Sequence, residues 1–518
     1  MKVPQQIPRI KHALTYPRHG ANSIKIAPST LLRLTHKVNR FRQPRNIFQA
    51  VTLFPLLTHV KHHGRRDTIF AIGSGTGRAA ITVVRMSGPA VGAALQGLEV
   101  GQLRERVATL RILRDPQTLE ALDRAIVLRF CEPRTFTGEQ MAELHLTGGR
   151  AVLAGVISAL VKIPGLRPAE PGEFALRAFE NGKVDLSEVE GLADLVAAET
   201  AAQRRQALRI ADGALSREAD GIRALLLHAM STLEAQIDFS DVDEVNSLSL
   251  ADARNLAWQA LQRIRSIVAS SELGERLREG LNVIIAGPPN VGKSSLMNAI
   301  ASRDVSIVAS TPGTTRDLIE LTLDVKGYPV TLVDTAGIRD TDDPVECEGV
   351  ERARRRVRDA DLTLWLEECG VLSARAPEVA GAIILVRTKS DRVPAPTDVV
   401  LGDTQYAPNE SRREVASCSI RVSTKTNDGI SLLLDEIALF AARRFDGSAG
   451  ALITTQRHKI LFYDAEMALI RLQESRLDAV ELVAEELRLA ARAMERISGR
   501  IDVEEVLDSI FSRLCVGK

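Results

Sequence analysis

The sequence predicts a multidomain chain of α/β plus all-α class. An α+β domain leads, a helical bundle follows in two halves, and an α/β domain is inserted between those halves. Three observations carry this reading. Residues 67–183 hold short apolar runs broken by Gly and Pro. Residues 185–280 contain no Pro and are dominated by Leu, Ala, Glu and Arg, a composition that returns from Arg457 to Val516. Between them, Leu281–Ile300 reads "LNVIIAGPPNVGKSSLMNAI": an apolar strand, a glycine-rich loop and the start of a helix.

The chain of 518 residues is long enough for two to four cores. No apolar run approaches the roughly 20 residues that a membrane helix needs. Five scattered cysteines without a CxxC pair argue for a reducing compartment and against a disulfide frame or a zinc site. The net charge of +1 hides an asymmetry. Residues 1–66 carry 13 Lys and Arg and no acid, which leaves a body of net charge −12. Nucleic-acid contact by so acidic a body needs a local basic surface or a partner.

Taken in order, residues 1–66 form a basic extension. Its Arg-rich, acid-free composition suits a mitochondrial transit peptide. The lack of an amphipathic pattern favours instead a start assigned upstream, with the chain opening near Asp67. Residues 67–183 read as β-loop-β around "GSGTGRAA" (Gly73–Ala80), with Ala125–Phe130 as a further strand. Residues 184–280 form the first helical part, where Leu186, Val189, Leu192, Leu195 and Val196 recur at helical spacing. Residues 281–445 form the inserted domain and 446–518 the second helical part. Insertion at a surface loop is tolerated when the ends of the insert lie close together.

Gly287–Ser294 fits GxxxxGK[ST], the loop whose amides curl around phosphate oxygens. Asn290, Val291, Gly292, Lys293, Ser294 and Ser295 are its candidate nucleotide contacts. Lys293 supplies a point charge and Ser294 a hydroxyl for Mg²⁺. "TPGTTRD" follows, with Ala309, Ser310, Thr311, Pro312, Gly313, Thr314 and Thr315 as candidates and Thr315 as second Mg²⁺ ligand. "DTAG" offers Asp334, Thr335, Ala336 and Gly337, the first for the Mg²⁺ water shell and the last for a γ-phosphate hydrogen bond. "RTKSD" resembles the guanine-reading NKxD, with Thr388 where Asn is usual, then Lys389 and Asp391. "VSTKT" contributes Ser423, Thr424 and Lys425. Five loops in this order make a GTP-binding P-loop domain of the Ras-like α/β type.

After DTAG, Ras-type switches carry a water-orienting Gln; here it is Ile338. The loops resemble the translation-factor-related GTPases with a hydrophobic residue at that place. In a subset of these, a P-loop Asn helps to hold K⁺, which suggests Asn290 with the backbone of Ala309, Thr311 and Thr314. Read as a residue alone, Asn290 serves equally as a turn former.

The tail "CVGK" (Cys515–Lys518) resembles the C-terminus of the MnmE (TrmE) family of tRNA modification GTPases. "DTIFA", "VVRMSGP", "FTGEQMAELHLTGG", "PGEFALRAFENGKVDLSEVEGLADL", "LEAQIDF" and "LITTQRH" resemble the same family, colinearly from Asp67 to Lys518. The resemblance implies a front domain that binds tetrahydrofolate, as its 5-formyl or 5,10-methylene form, and dimerises. Its folate contacts fall on Arg85, Glu143, Lys183 and Lys518. The glycine-rich front loop departs from the family pattern, keeping Arg78 but carrying Ala79 and Ala80. Glu346 would position the attacking water, and Cys515 would be nucleophile, proton donor or packing.

The implied reaction adds an aminomethyl-type group at C5 of the wobble uridine of certain tRNAs. It works with the FAD-binding partner MnmG in a heterotetramer and uses K⁺-dependent dimerisation of the G domains. It implies a cytoplasmic bacterial homodimer without a membrane role, or a mitochondrial one if residues 1–66 are a transit peptide. A ribosome-assembly switch of the Era or Der type is the alternative. No GxxG-centred KH pattern and no second G domain support it.

Overall fold

The computed structural model describes residues 67–75, 77–238, 243–302, 307–309, 320–334, 360–371, 382–393, 415–446, 450–474 and 480–501, with 507, 510–512, 514 and 517 of the tail. All of them belong to the second of two units, which divide after Arg65.

The front domain is a six-stranded sheet built from β1 (Thr68–Ile72), β2 (Ile81–Ser87), β3 (Thr109–Arg114), β4 (Ala121–Phe130), β5 (Met141–Thr147) and β6 (Leu166–Pro168), in the order β3-β4-β5-β2-β1-β6. Its helices are α1 (Val91–Gly97), α2 (Arg150–Val161) and α3 (Glu173–Glu180). Alternation along each strand sorts the faces. Val84, Met86, Val127, Leu144 and Leu146 point to one side and form a core with Val91 and Leu95 of α1 and Val156 and Leu160 of α2. Near β1 the other face is covered by Phe174 of α3. Toward β3 and β4 it leaves Leu110, Ile112 and Ile126 exposed, at 51%, 46% and 42%.

Two short helices lead out of this domain: α4 (Leu186–Ala197) and α5 (Ala201–Ala211). Each opens with a reciprocal capping box, Asp185 with Glu188 and Thr200 with Gln203. Such a cap adds about 1 kcal/mol to helix stability by satisfying amides that the first turn leaves unpaired. The long helices α6 (Ala214–Asp238) and α7 (Asp243–Val268) follow, then α8 (Ser271–Glu279).

The inserted sheet has seven strands: β7 (Leu281–Ala286), β8 (Ile307–Ala309), β9 (Glu320–Val325), β10 (Tyr328–Asp334), β11 (Leu362–Glu368), β12 (Ala382–Thr388) and β13 (Val415–Arg421). Their order is β13-β12-β11-β7-β10-β9-β8. The five from β13 to β10 run parallel; β9 is antiparallel to both β10 and β8. Helix α9 (Lys293–Ala301) follows β7, and α10 (Ile430–Arg444) follows β13. Val283, Ile285, Leu332, Leu364 and Val386 pack against Leu296 and Ile300 of α9 and Leu433 and Ile437 of α10.

The chain then returns to the bundle with α11 (Gln456–Glu474) and α12 (Val480–Ser498). Helix α6 packs on α7 and α12, and α11 on α7 and α12, so four helices close a square. Small residues at helical spacing, Ala253, Ala257 and Ala260 of α7 and Ala465 and Ala468 of α11, let the axes approach around Phe462, Leu469 and Leu487. Finally the tail crosses back to the front domain. Ile510, Phe511 and Leu514 bury against Ala175, Leu186 and Val189.

Candidate functional site

Strand β7 lies between β10 and β11, so its C-terminal end opens at the middle of the sheet, where a parallel α/β fold delivers loops to a ligand. The loop leaves at Gly287, whose φ is +151° and where a Cβ would lie 2.6 Å from the Leu366 carbonyl oxygen. Only glycine fits there. Asn290 adopts a left-handed φ of +61°, a conformation that Asn tolerates better than most residues. Lys293 Nζ donates to the carbonyls of Gly287 and Pro288 at 2.9 and 3.0 Å, so it spans the mouth of the loop. Ser294 Oγ donates to Asp334 Oδ2 at 2.6 Å. A hydroxyl in the first turn of α9 and a carboxylate at the end of β10 thus converge, hard oxygen groups suited to Mg²⁺ and its water shell. The amides at the N-terminus of α9 favour an anion beside them.

A second cluster sits at the ends of β12 and β13. Lys389 follows β12 with a left-handed φ of +56°. Its Nζ is 2.6 Å from Glu368 Oε2, and Arg392 reaches the other oxygen of Glu368 at 3.1 Å. Asp391 is exposed, and Ser423 Oγ donates to its Oδ1 at 2.7 Å. That hydrogen bond holds the Asp391 carboxyl below its usual range, so the group is an acceptor at neutral pH. The amides of Lys425 and Thr426 in turn donate to Ser423 Oγ. Thr424 lies in the same turn. Thr388 is 2% exposed, and its hydroxyl reaches the carbonyl of Val291 in the phosphate loop at 2.7 Å.

Ala309 ends β8. Ser310, Thr311, Pro312, Gly313, Thr314, Thr315, Thr335, Ala336, Gly337, Glu346, Cys515 and Lys518 lie outside the described residues, as do residues 1–66.

A second site lies on the front sheet. Arg85 of β2 and Glu143 of β5 are register partners, with Arg85 Nη2 2.9 Å from Glu143 Oε1. Arg85 Nη1 donates to the carbonyl of Gly517 at 3.3 Å. The last turns of the chain are thereby tied to a strand 432 positions earlier. Gly517 has φ +101°, and a Cβ there would lie 2.4 Å from the Ile72 carbonyl oxygen. His145, unmarked in the sequence reading, stands on the face of β5 that carries Glu143, with its Nε2 3.4 Å from Glu143 Oε2. Strand alternation could have found it, because it lies two residues from Glu143. Lys183 packs beside Gly138; the neighbouring Thr137 bonds Ser87, two residues beyond Arg85 on β2.

Comparison with known proteins bears on the family. A model described as the MnmE helical domain matches residues 186–515, and one described as the GTP-binding protein TrmE N-terminus matches residues 68–183. The tRNA modification GTPase MnmE of Bradyrhizobium sp. (strain ORS 278) is 47% identical over 457 residues, 88% of this chain and 100% of its own length. The chain belongs to the MnmE family of tRNA modification GTPases.

MnmE of Beijerinckia indica subsp. indica is 46% identical over 89% of this chain and 98% of its own, and MnmE of Methylobacterium sp. (strain 4-46) is 47% identical over 87% and 100%. Among solved structures, the G domain of the T. maritima FeoB iron transporter covers 31% of this chain and 98% of its own at 24% identity, with a TM-score of 0.20.

Two MnmE-like stretches of the sequence meet in the bundle. Glu190, from "DLSEVEGLADL", accepts from Arg457 and bonds His458 of "LITTQRH", both at 2.6 Å. Burial pushes the Glu190 carboxyl up, but the charges of His458 and Arg457 and their hydrogen bonds outweigh it and bring it down to about 2. Beside it, Asp194 is held by Arg278 of α8, immediately before β7. The buried contacts of Glu190 with Arg457 and His458 join the first helical part to the second across the inserted MnmE G domain, whereas the Asp194–Arg278 pair lies within the first.

The tail contact yields a first prediction. In Gly517→Val the side chain collides with the β1 backbone and the tail loses its seat. We expect tRNA modification to fall by at least about tenfold, since a misplacement of ~1 Å is costly at a reacting centre. GTP turnover should stay within about twofold of wild type, as the phosphate loop is untouched. Nucleoside analysis beside a phosphate-release assay checks both; full modification would show that the docked tail is dispensable.

Proposed function

We propose that this chain, as a tRNA modification GTPase of the MnmE family, couples GTP hydrolysis to one-carbon transfer at C5 of the wobble uridine of certain tRNAs. The observation that carries this reading is family membership at 47% identity over the full length of the relative. The meeting of Arg85, Glu143 and the C-terminal tail supports it.

At the G site, Lys293 meets the β/γ-phosphates, and Ser294 with Thr315 would hold Mg²⁺, near Asp334. Asn290, with the backbone of Ala309, Thr311 and Thr314, would hold K⁺. The two cations, when bound, neutralise charge developing on the phosphate oxygens, the task of an arginine finger elsewhere. Glu346 positions the attacking water that Ile338 cannot. Asp391 accepts from the guanine ring.

At the front site, Arg85, Lys183 and Lys518 would receive the glutamate carboxylates of a tetrahydrofolate, and Glu143 the N–H groups of its pterin. The folate supplies the one-carbon unit, and Cys515 is the thiol of the tail that acts beside it. An FAD-dependent partner, MnmG in this family, performs the redox step. Two copies of the chain associate through their front domains. The exposed Leu110, Ile112 and Ile126 on the uncovered sheet face support that association, since side chains of that size in one patch suit an interface. The acidic body suits a protein whose partner meets much of the tRNA. Among the described residues no helix is long and apolar enough to cross a membrane.

Nucleoside analysis of tRNA from a deletion strain tests the reaction: unmodified wobble uridines are expected, and unchanged ones would refute it. Turnover in K⁺ is expected to exceed that in Na⁺ by at least about tenfold, the scale of one electrostatic contact in a transition state. Equal rates in the two salts would remove the K⁺ role.

A further inference from the structure

Guanine presents two kinds of hydrogen-bonding edge: N1–H and the 2-amino group donate, whereas O6 and N7 accept. Asp391 reads the donors. At the first position of the guanine-reading loop an asparagine would bring two N–H donors and a carbonyl, but Thr388 brings a single hydroxyl hydrogen. The structure shows where that hydrogen goes. Thr388 is 2% exposed, and its Oγ1 lies 2.7 Å from the carbonyl oxygen of Val291 and 3.2 Å from that of Glu367. Both neighbours are backbone acceptors. Neither can be abandoned cheaply, because a buried carbonyl stripped of its partner keeps its desolvation cost.

Three neighbouring side-chain donors are engaged as well. Lys389 Nζ and Arg392 Nη1 are both on Glu368, at 2.6 and 3.1 Å. Ser423 Oγ donates to Asp391 at 2.7 Å. The amides of Lys425 and Thr426 turn toward Ser423 rather than outward. Among the described residues of this loop cluster, the Lys389 ammonium, a guanidinium nitrogen of Arg392 and the Ser423 hydroxyl are thus engaged with the protein.

We propose that Thr388 is a positioning residue and not a base contact: it ties the guanine-reading loop to the phosphate loop, and the protein selects guanine without the side-chain hydrogen bond to N7 that an asparagine at this position would give. The inference rests on the assignment of Asp391 to the base, and it goes further by naming the edge of guanine that is read. It also accounts for a threonine where an amide is usual. A β-branched hydroxyl at the buried end of β12 is short enough to stay beneath the base and still reach Val291.

The test uses the full-length protein and needs no variant. A ribose-labelled fluorescent GDP is displaced by GTP, 7-deaza-GTP, ITP or ATP. The 7-deaza analogue replaces N7 with C–H and leaves the donor edge intact; ITP lacks the 2-amino group. We expect 7-deaza-GTP to match GTP within about threefold, less than the loss of one ordinary hydrogen bond can reach, and ITP and ATP to bind at least about tenfold more weakly. A 7-deaza analogue weaker than GTP by more than about threefold overturns the proposal. ATP binding as tightly as GTP would overturn the underlying Asp391 assignment, a separate and recognisable failure. Thr388→Val supplies the second readout. It removes the tether while keeping the shape, so nucleotide should leave about tenfold faster with the ratio of 7-deaza-GTP to GTP affinity unchanged. An unaltered dissociation rate would show that the hydroxyl ties nothing.

Discussion

Replacing Lys293 by Ala is expected to cut GTP turnover by about 10²–10³-fold, the cost of removing one preorganised charge aimed at a developing anion. Lys293 opens α9, and its ammonium lies over the phosphate loop, on the carbonyls of Gly287 and Pro288 at 2.9 and 3.0 Å. Those contacts hold the charge across the mouth of the loop, where the triphosphate lies in a nucleotide-bound P-loop. The group therefore needs little reorganisation to meet it. Arg is a poor replacement, since its broad planar fork does not fit where a compact charge spans two carbonyls. Phosphate release at saturating GTP measures the effect. Turnover in Lys293→Ala within threefold of wild type would show that the charge acts elsewhere. Because the side chain is only partly buried, the variant should keep the unfolding behaviour of the wild type.

The largest effect on stability is expected at Glu190. Its carboxylate is enclosed with Arg457 and the wholly buried His458, and removing it leaves the Arg457 guanidinium without its counter-charge and the His458 ring without its hydrogen-bond partner. Breaking a buried pair in this way costs about 3–5 kcal/mol. Glu190→Ala should therefore lower the unfolding midpoint clearly in urea, followed by far-ultraviolet circular dichroism at neutral pH.

The pH dependence follows from the direction of the shift. In the folded chain this carboxyl lies at about 2, below the ordinary 4.5. Its contribution is fully present above about pH 4.5 and is lost as pH falls from there through about 2. The gap in stability between wild type and Glu190→Ala should narrow over that window. A gap that stays constant down to about pH 2 would mean that Glu190 stabilises by packing alone.

Much of the fold was legible because the signals are local. Leu186, Val189, Leu192, Leu195 and Val196 recur at helical spacing, and they fall in the helix Leu186–Ala197. The phosphate loop was legible for a different reason. Its function resides in backbone geometry, and Gly287 and Asn290 declare that geometry through the conformations they allow. His145 was recoverable in principle from strand alternation, though an isolated histidine on a strand is most simply a packed or solvated one.

What stayed hidden were pairings between distant positions. Glu190 and Arg457 are 267 residues apart, with the inserted domain between them, so no spacing rule joins them. No spacing rule joins Arg85 to Gly517 either; that the tail reaches the Arg85 site was implied only by the family resemblance, through Lys518. Thr388 read as a departure from the guanine loop, and only its burial against Val291 showed what the hydroxyl does.

By itself, then, the sequence determined the fold class and the identity of the nucleotide loop, because helix periodicity, strand alternation and glycine-dependent turns are properties of a few neighbouring residues. The tertiary structure alone decided which buried charges neutralise one another, that the Gly517 carbonyl is the tail group that meets Arg85, and how the base loop is tied to the phosphate loop. Those outcomes depend on which surfaces lose water together, and that is known only once the chain has closed on itself.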